Sequence, residues 1–355
     1  MRLVKSQIFI VAMCGALGLA ACGGGDDDDD ADDGSTDVGD DDGSTDVGDD
    51  DGADDDGGTV NPDGVDNTYV IDTLTVPSSG PEAADVALDI DGDGDVENVV
   101  GGLFGLIATA AGLDISGTVN EQLQLGSIIL LANLKATDLA DATGVGMYVY
   151  LGDDPDPAPC LDDADPTSCG QHLQGDGSFG ISADSPLDAV VVGETTGGQF
   201  VGGPGSVTIE LSLSALAAPL QLTLVNAKVD VAVAADGLSG GILGGAITTA
   251  DVNDRIIPAV VDVVNGILDE DGCDPEAVPC CPEGSTGTTL LQFLDTEPEG
   301  GDCIIGVEEV ANNSLVSSTL GNPDLDLEGD DGINDAISIG VGFTAVGGLF
   351  TPPAP

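Results

Sequence analysis

The sequence predicts an α+β fold, mainly an antiparallel sheet or sandwich with two or three helices packed on it. The first observation is that apolar and polar residues alternate over 207–214 and 337–345, which is the period of a half-buried strand. Such alternation implies one solvated sheet face, which favours antiparallel pairing. The second is that apolar residues recur at helical spacing over 99–113 and 252–267. Strands outnumber helices, and their connections are short.

The folded part is predicted to begin near Thr68 and to form a single domain over 68–355. The predicted strands lie at 69–74, 128–131, 147–151, 189–192, 207–213, 220–233 and 337–345. The apolar phase slips by one residue after Leu224, which predicts a bulge or a strand that passes between sheets. We expect a helix capped by Asp251 and kinked at Pro258. A cysteine-rich loop follows at 269–303, and then a helical stretch at 304–320.

The composition is extremely acidic, with 66 Asp+Glu against 5 Lys+Arg. Once a leader is removed, only Lys135, Lys228 and Arg255 remain as bases. This balance excludes ordinary nucleic-acid binding and electrostatic docking on anionic lipid. It favours divalent cations as partners. Aromatic residues are 3% and Trp is absent, so the core should be aliphatic and aromatic platforms for sugars or bases should be scarce.

The segment 26–58 consists almost entirely of Asp, Gly, Ser and Thr. One nonapeptide occurs twice in tandem, at 32–40 and 41–49. Such a segment has too few apolar residues to form a core, and its like charges repel one another. We therefore expect 22–67 to be a disordered acidic tether.

The N-terminus has the order of a secretory signal peptide: Arg2 and Lys5, then an apolar run over 8–19, then small residues. The stretch Leu19-Ala20-Ala21-Cys22 resembles the lipobox of bacterial lipoproteins. That resemblance implies removal of residues 1–21, acylation of Cys22, and anchoring by acyl chains at the outer membrane or cell surface, with a periplasm-facing position as the alternative. A transmembrane anchor is disfavoured, because the apolar run is well short of roughly 20 residues.

An acidic loop precedes the apolar segment 99–113. Its oxygen-bearing residues alternate along the chain, with a glycine for the turn: Asp89, Asp91, Asp93, Gly94, Asp95 and Glu97. This spacing suits a hard cation, and the loop resembles EF-hand, thrombospondin-type and dockerin-type calcium loops. It departs from the EF-hand pattern because Val100 replaces the bidentate Glu. We expect a structural calcium loop, with a solvated Asp/Gly turn as the alternative.

A second acidic loop precedes the last predicted strand and has less regular spacing. Its candidate ligands for calcium are Asp324, Asp326, Glu328, Asp330 and Asp335. A plain turn is the alternative. Because each loop directly precedes an apolar element, the two could lie side by side.

Six cysteines follow Cys22, an even number that indicates disulfides in an exported chain. They are Cys160, Cys169, Cys273, Cys280, Cys281 and Cys303. We expect the first two to pair around a Pro/Asp-rich loop. The other four would form two bridges, with no bond between the adjacent Cys280 and Cys281. Zinc is the competing interpretation, but the spacing of a zinc site is missing.

Catalytic motifs are weak. Residues 237–241 satisfy G-x-S-x-G, but the only histidine, His172, precedes the serine, so a Gly-rich turn is the better interpretation. We expect His172 at the surface. The sequence thus favours a non-enzymatic, lipid-anchored module for adhesion, scaffolding or capture of an unknown protein. The alternatives are a carrier of an apolar or lipid ligand and a hydrolase that uses carboxylates.

Overall fold

Eight antiparallel strands close into a barrel in the computed structural model, which describes residues 58–112, 114–162, 165–212, 219–295, 301–327 and 333–353. These fall in one compact unit, Asp55–Pro355. The predicted signal peptide, Cys22 and the tether up to residue 57 lie outside the described residues. The first strand begins at Val65, inside the range predicted to be tether.

The strands of the described residues are β1 Val65–Thr75, β2 Leu130–Ala136, β3 Ala142–Asp156, β4 Ser178–Ile181, β5 Val191–Thr196, β6 Gln199–Gly205, β7 Val207–Leu211, β8 Leu220–Ala234, β9 Gly237–Thr248 and β10 Ala336–Gly347. Around the barrel the order is β2-β1-β10-β9-β8-β6-β5-β3, and pairing of β3 with β2 closes it. Two short strands lie outside the ring: β4 pairs with β3, and β7 pairs with β8.

The predicted fold class is therefore wrong. Among the described residues the protein is mostly β, a closed barrel with two extra strands and only about 28% helix, rather than an α+β sheet or sandwich with helices packed on it. Closure depends on the pairing of β1 with β10 and of β1 with β2, which are contacts between distant segments. Alternation within one strand does not reveal its partners. Closure also leaves the eight strands without a free edge.

The helices are α1 Gly80–Asp85, α2 Val99–Ala111, α3 Ile115–Leu125, α4 Thr249–Asp251, α5 Ile257–Glu270, α6 Thr286–Leu294, α7 Val307–Asn312 and α8 Ser314–Leu320. A π-helical turn, Val252–Ile256, joins α4 to α5, and two 3-10 turns lie at Pro166–Ser168 and Gln171–Leu173. The helix at α6 lies within the segment predicted as a cysteine-rich loop. Thr248, rather than Asp251, caps α4, and Pro258 occupies the first turn of α5.

The inward strand positions and the apolar helix faces form one hydrophobic core. Phe200 on β6 and Ile337 on β10 are completely buried there, together with Phe104 of α2 and Val119 of α3. An eight-stranded barrel is just wide enough for side chains to fill its interior. In addition, α2 packs against β10 and α3 against β1. The buried side chains of the described residues therefore pack into the barrel interior.

The expected slip in strand phase is confirmed in β8. Asn226 has a φ of 48°, and the pairing with β9 shifts between Val225 and Lys228. The first part of β8 pairs with β7, whereas its second part pairs with β6 and β9. The bulge thus lets one strand leave the extra hairpin and join the barrel wall.

Three cysteine pairs lie at disulfide distance: Cys160 with Cys169, Cys273 with Cys281, and Cys280 with Cys303. The expected pairing of the first two is confirmed, and the adjacent cysteines do not pair with each other. Within the described part of the chain, no helix is long and apolar enough to cross a membrane.

Candidate metal site

The first acidic loop, residues 89–97, is a compact turn that leads into the N-terminus of α2. Leu88 and Glu97 form an isolated antiparallel bridge, in which the Glu97 N–H donates to the Leu88 carbonyl at 3.2 Å. Gly92 and Gly94 turn the chain with φ of 87° and 97°, a region that disfavours other residues. Asn98 then caps α2 by accepting from the Gly101 N–H. The bridge and the cap therefore bracket the acidic residues between two fixed ends.

Three of the five predicted ligands converge. One carboxylate oxygen from each of Asp89, Asp91 and Glu97 lies within 4.8 Å of the other two. The carboxylates of Asp93 and Asp95 are outside this group. Backbone N–H groups of the loop donate to Asp89 Oδ1 at 2.6 Å, to Asp91 Oδ1 at 3.2 Å and to Asp93 Oδ1 at 2.8 Å. The converging carboxylates are acceptors of the type that Ca²⁺ prefers.

Electrostatics make this cluster costly without a cation. The pKa of Glu97 is raised to about 7, mainly by burial and also by the charges of Asp91, Asp93 and Asp89, while a hydrogen bond from the Ile90 N–H opposes the shift. A cation among the carboxylates would remove this repulsion and displace the proton.

The candidate ligands of the second acidic loop are held mainly by protein groups. The Ser338 N–H donates to Asp324 Oδ1 at 3.0 Å, and the Leu327 N–H donates to Asp335 Oδ1 at 3.1 Å. Within the ranges that the structure describes, the only metal-type cluster belongs to the first loop, so Asp324, Asp326 and Asp335 are not brought together as ligands. Glu328 and Asp330 lie outside the described residues.

The two loops nevertheless lie side by side, as the sequence suggested. Ile90 of the first loop and Leu325 of the second are buried in one small apolar cluster with Ala246 and Ala336. This cluster lies apart from the main core. It fixes the position of both loops against β9 and β10.

The hydrolase motif is not assembled. Ser239 lies in β9, paired with Ala232, and not at the strand-to-helix turn that a nucleophile elbow requires. His172, expected at the surface, is completely buried and packs edge-on against Phe179 with ring centroids 6.1 Å apart. The expectation for His172 was wrong because the 3-10 turn that carries it packs against β1, which its polar sequence neighbours do not indicate.

Sequence reasoning missed a cavity of about 300 Å³ with a mixed polar and apolar lining, on the outer face of β1, β2 and β3. Asp66, Asn133, Lys135, Tyr148 and Tyr150 line it. The sequence did contain a signal for this cavity, namely polar or aromatic residues two positions apart, which share one face of a strand. These pairs are Asn133 with Lys135 and Tyr148 with Tyr150. The pairing of the strands that brings them together was not visible.

Comparison of the chain with family models, curated proteins and solved structures found no match.

Proposed function

We propose that the protein is an exported, lipid-anchored and non-enzymatic module for adhesion, scaffolding or ligand capture. The anchor is Cys22, supported by the lipobox resemblance of 19–22. The acidic segment 26–58 would hold the barrel away from the membrane by charge repulsion. Disulfides and one calcium ion would stiffen the barrel.

The observation that carries the calcium assignment is the convergence of Asp89, Asp91 and Glu97 within 4.8 Å. Calcium takes six to eight oxygen ligands and accepts water among them, so three carboxylates are a sufficient protein contribution. The ion would join the loop to the first turn of α2 through Glu97 and Asn98. Its binding energy would add to the stability of the fold.

The packed interior favours this role over that of an apolar-ligand carrier. Tyr69, Phe104 and Phe200 are almost completely buried in the main core. Their side chains occupy the space in which an apolar ligand of a barrel protein would lie. The proposed role therefore uses the outer surface of the barrel.

Calcium titration with thermal melting tests the proposal. We expect calcium to raise the melting temperature of the chelator-treated wild type, and Asp91→Asn to abolish that rise. Asp95→Asn is the matched control, because Asp95 is outside the convergent group and the variant makes the same charge change. A wild-type melting temperature that calcium leaves unmoved would contradict the metal assignment.

The anchor is tested by detergent phase partitioning of the exported protein. Wild type should enter the detergent phase, and Cys22→Ala should remain in the aqueous phase. If both stay aqueous, the lipid anchor is excluded whatever the calcium result.

A further inference from the structure

The outer face of three neighbouring strands carries an organised set of polar and aromatic side chains. Asp66 of β1 pairs with Lys135 of β2, and Asn133 of β2 pairs with Tyr148 of β3. Tyr150 lies two residues further along β3. Because side chains alternate across a strand, these five residues share one face of the sheet, opposite the main core. We call the space above them the tyrosine cavity.

The C-terminal segment completes the walls of the tyrosine cavity. The remaining lining residues are Leu187, Thr351, Pro352 and Pro353. The segment is held in place because the Thr68 hydroxyl donates to the Gly348 carbonyl at 2.6 Å. The Phe350 ring lies edge-on to Tyr150, with centroids 6.1 Å apart. The cavity is thus built from β1, β2 and β3 together with the segment that follows β10.

Two tyrosine rings form an aromatic wall. Tyr148 and Tyr150 are stacked with an interplanar angle of 10° and centroids 6.1 Å apart. Burial raises the pKa of both phenols, and the charge of Asp66 raises both further. Both hydroxyls consequently remain protonated at neutral pH and are able to donate as well as accept hydrogen bonds.

The buried amide of Asn133 has an unused acceptor. Its Nδ2 donates to Asp66 Oδ1 at 2.9 Å, which fixes the orientation of the amide. Its Oδ1 has no hydrogen-bond partner among the described residues, although the side chain is only 1% exposed. A buried acceptor without a partner is unfavourable, because it has lost its hydrogen bonds to water. A ligand donor in the cavity would satisfy it.

Lys135 adds an unused donor. The other two bases are engaged: Lys228 Nζ donates to the Asp89 carbonyl at 2.6 Å, and Arg255 Nε lies 3.1 Å from Asp251 Oδ1. In the described ranges Lys135 forms no ion pair. The cavity therefore offers acceptors at Asn133 and Asp66 and a donor at Lys135, so it suits a ligand whose groups both donate and accept.

We propose that the tyrosine cavity binds one saccharide unit. Sugar hydroxyls donate to Asn133 and Asp66 and accept from Lys135, while a C–H face of the ring packs on the tyrosine wall. A volume of about 300 Å³ is at the lower end for ligand pockets and fits a small ring. The chain's net charge of −61 disfavours an anionic ligand, and Lys135 disfavours a cation. A neutral polyhydroxylated ring meets both conditions.

This inference goes beyond the proposed calcium-stabilised module. The tyrosine cavity shares no residue with the cluster of Asp89, Asp91 and Glu97. Saccharide binding should therefore persist in the presence of a chelator. Failure of one proposal leaves the other to its own test.

Saccharide binding is measured by saturation-transfer NMR on the mature protein with chelator present. The probes are glucose, galactose, mannose and N-acetylglucosamine at millimolar concentration. Tyrosine fluorescence gives a second signal, because the chain has 3 Tyr and no Trp, and two of the tyrosines line the cavity. We expect at least one probe to bind and to change this fluorescence.

Variants then locate the binding. Asp66→Ala should raise the Kd about tenfold or more through the loss of a charged acceptor, and Tyr148→Ala should do the same through the loss of the aromatic wall. Asp63→Ala is the control, since it removes an exposed carboxylate from the same part of the chain outside the cavity. Circular dichroism and melting temperature confirm that each variant is folded. Binding by none of the probes, or equal binding by wild type and both cavity variants, would overturn the proposal.

Discussion

The hydroxyl of Ser338 donates a hydrogen bond to the carboxylate of Asp324, so the last barrel strand directly holds the second acidic loop. The same hydroxyl oxygen accepts from the Val99 N–H at 2.9 Å, in the first turn of α2. Val99 directly follows the first acidic loop and its cap, Asn98. One completely buried serine thus connects both acidic loops to β10.

Replacing Ser338 with alanine should lower the free energy of unfolding by about 1–3 kcal/mol, because the Val99 N–H and Asp324 Oδ2 would both lose the hydroxyl as their partner. Urea denaturation measures this difference. Ser127→Ala is the control, because Ser127 is exposed and the change should stay within about 0.5 kcal/mol. Equal stabilities of the two variants would show that Ser338 does not connect the loops.

Glu97 should make calcium-free stability depend on pH. Its pKa is raised from 4.5 to about 7, so between these values the folded state binds more protons than the unfolded state. The contribution of Glu97 to stability is therefore largest at low pH and declines as pH rises from about 4.5 to about 7. The free energy of unfolding, measured by urea denaturation in the presence of a chelator, should change less with pH for Glu97→Gln than for wild type. An identical change with pH in the two proteins would contradict this assignment.

Adjacent residues on β6 test the closed barrel. Phe200 is completely buried and points inward, whereas the next residue, Val201, is 53% exposed. Phe200→Ala should cost about 3–5 kcal/mol by leaving a cavity in the packed interior. Val201→Ala should cost no more than about 0.5 kcal/mol. Similar losses from the two substitutions, measured by denaturant unfolding, would argue against a barrel with this inside and outside.

Local patterns predicted individual elements but not the way they close. The alternation over 337–345 correctly predicts β10, and the slip after Leu224 correctly predicts the bulge of β8. The barrel depends on pairs such as Tyr69 with Gly347 and Val70 with Leu131, and a residue's own neighbours do not determine these. The fold class was missed for that reason.

Of the five predicted ligands of the candidate metal site, the structure brings the carboxylates of three together. Alternate spacing also suggested Asp93 and Asp95, whose carboxylates lie outside the converging group, because spacing alone does not give the direction of each side chain. The tyrosine cavity was missed for a different reason. Its side chains come from β1, β2 and β3, and they became neighbours only through strand pairing.

The position of β10 has a consequence for how the molecule is made. It lies between β1 and β9. The second edge of β1, the first barrel strand in the chain, is therefore hydrogen-bonded only when β10, the last one, is in place. A nascent chain that ends before Ala336 leaves one edge of β1 and one edge of β9 without a hydrogen-bonded partner. Such unpaired strand edges are templates for self-association. The barrel can close only after nearly all of its residues have been synthesised. We therefore expect it to fold as one unit rather than strand by strand during synthesis.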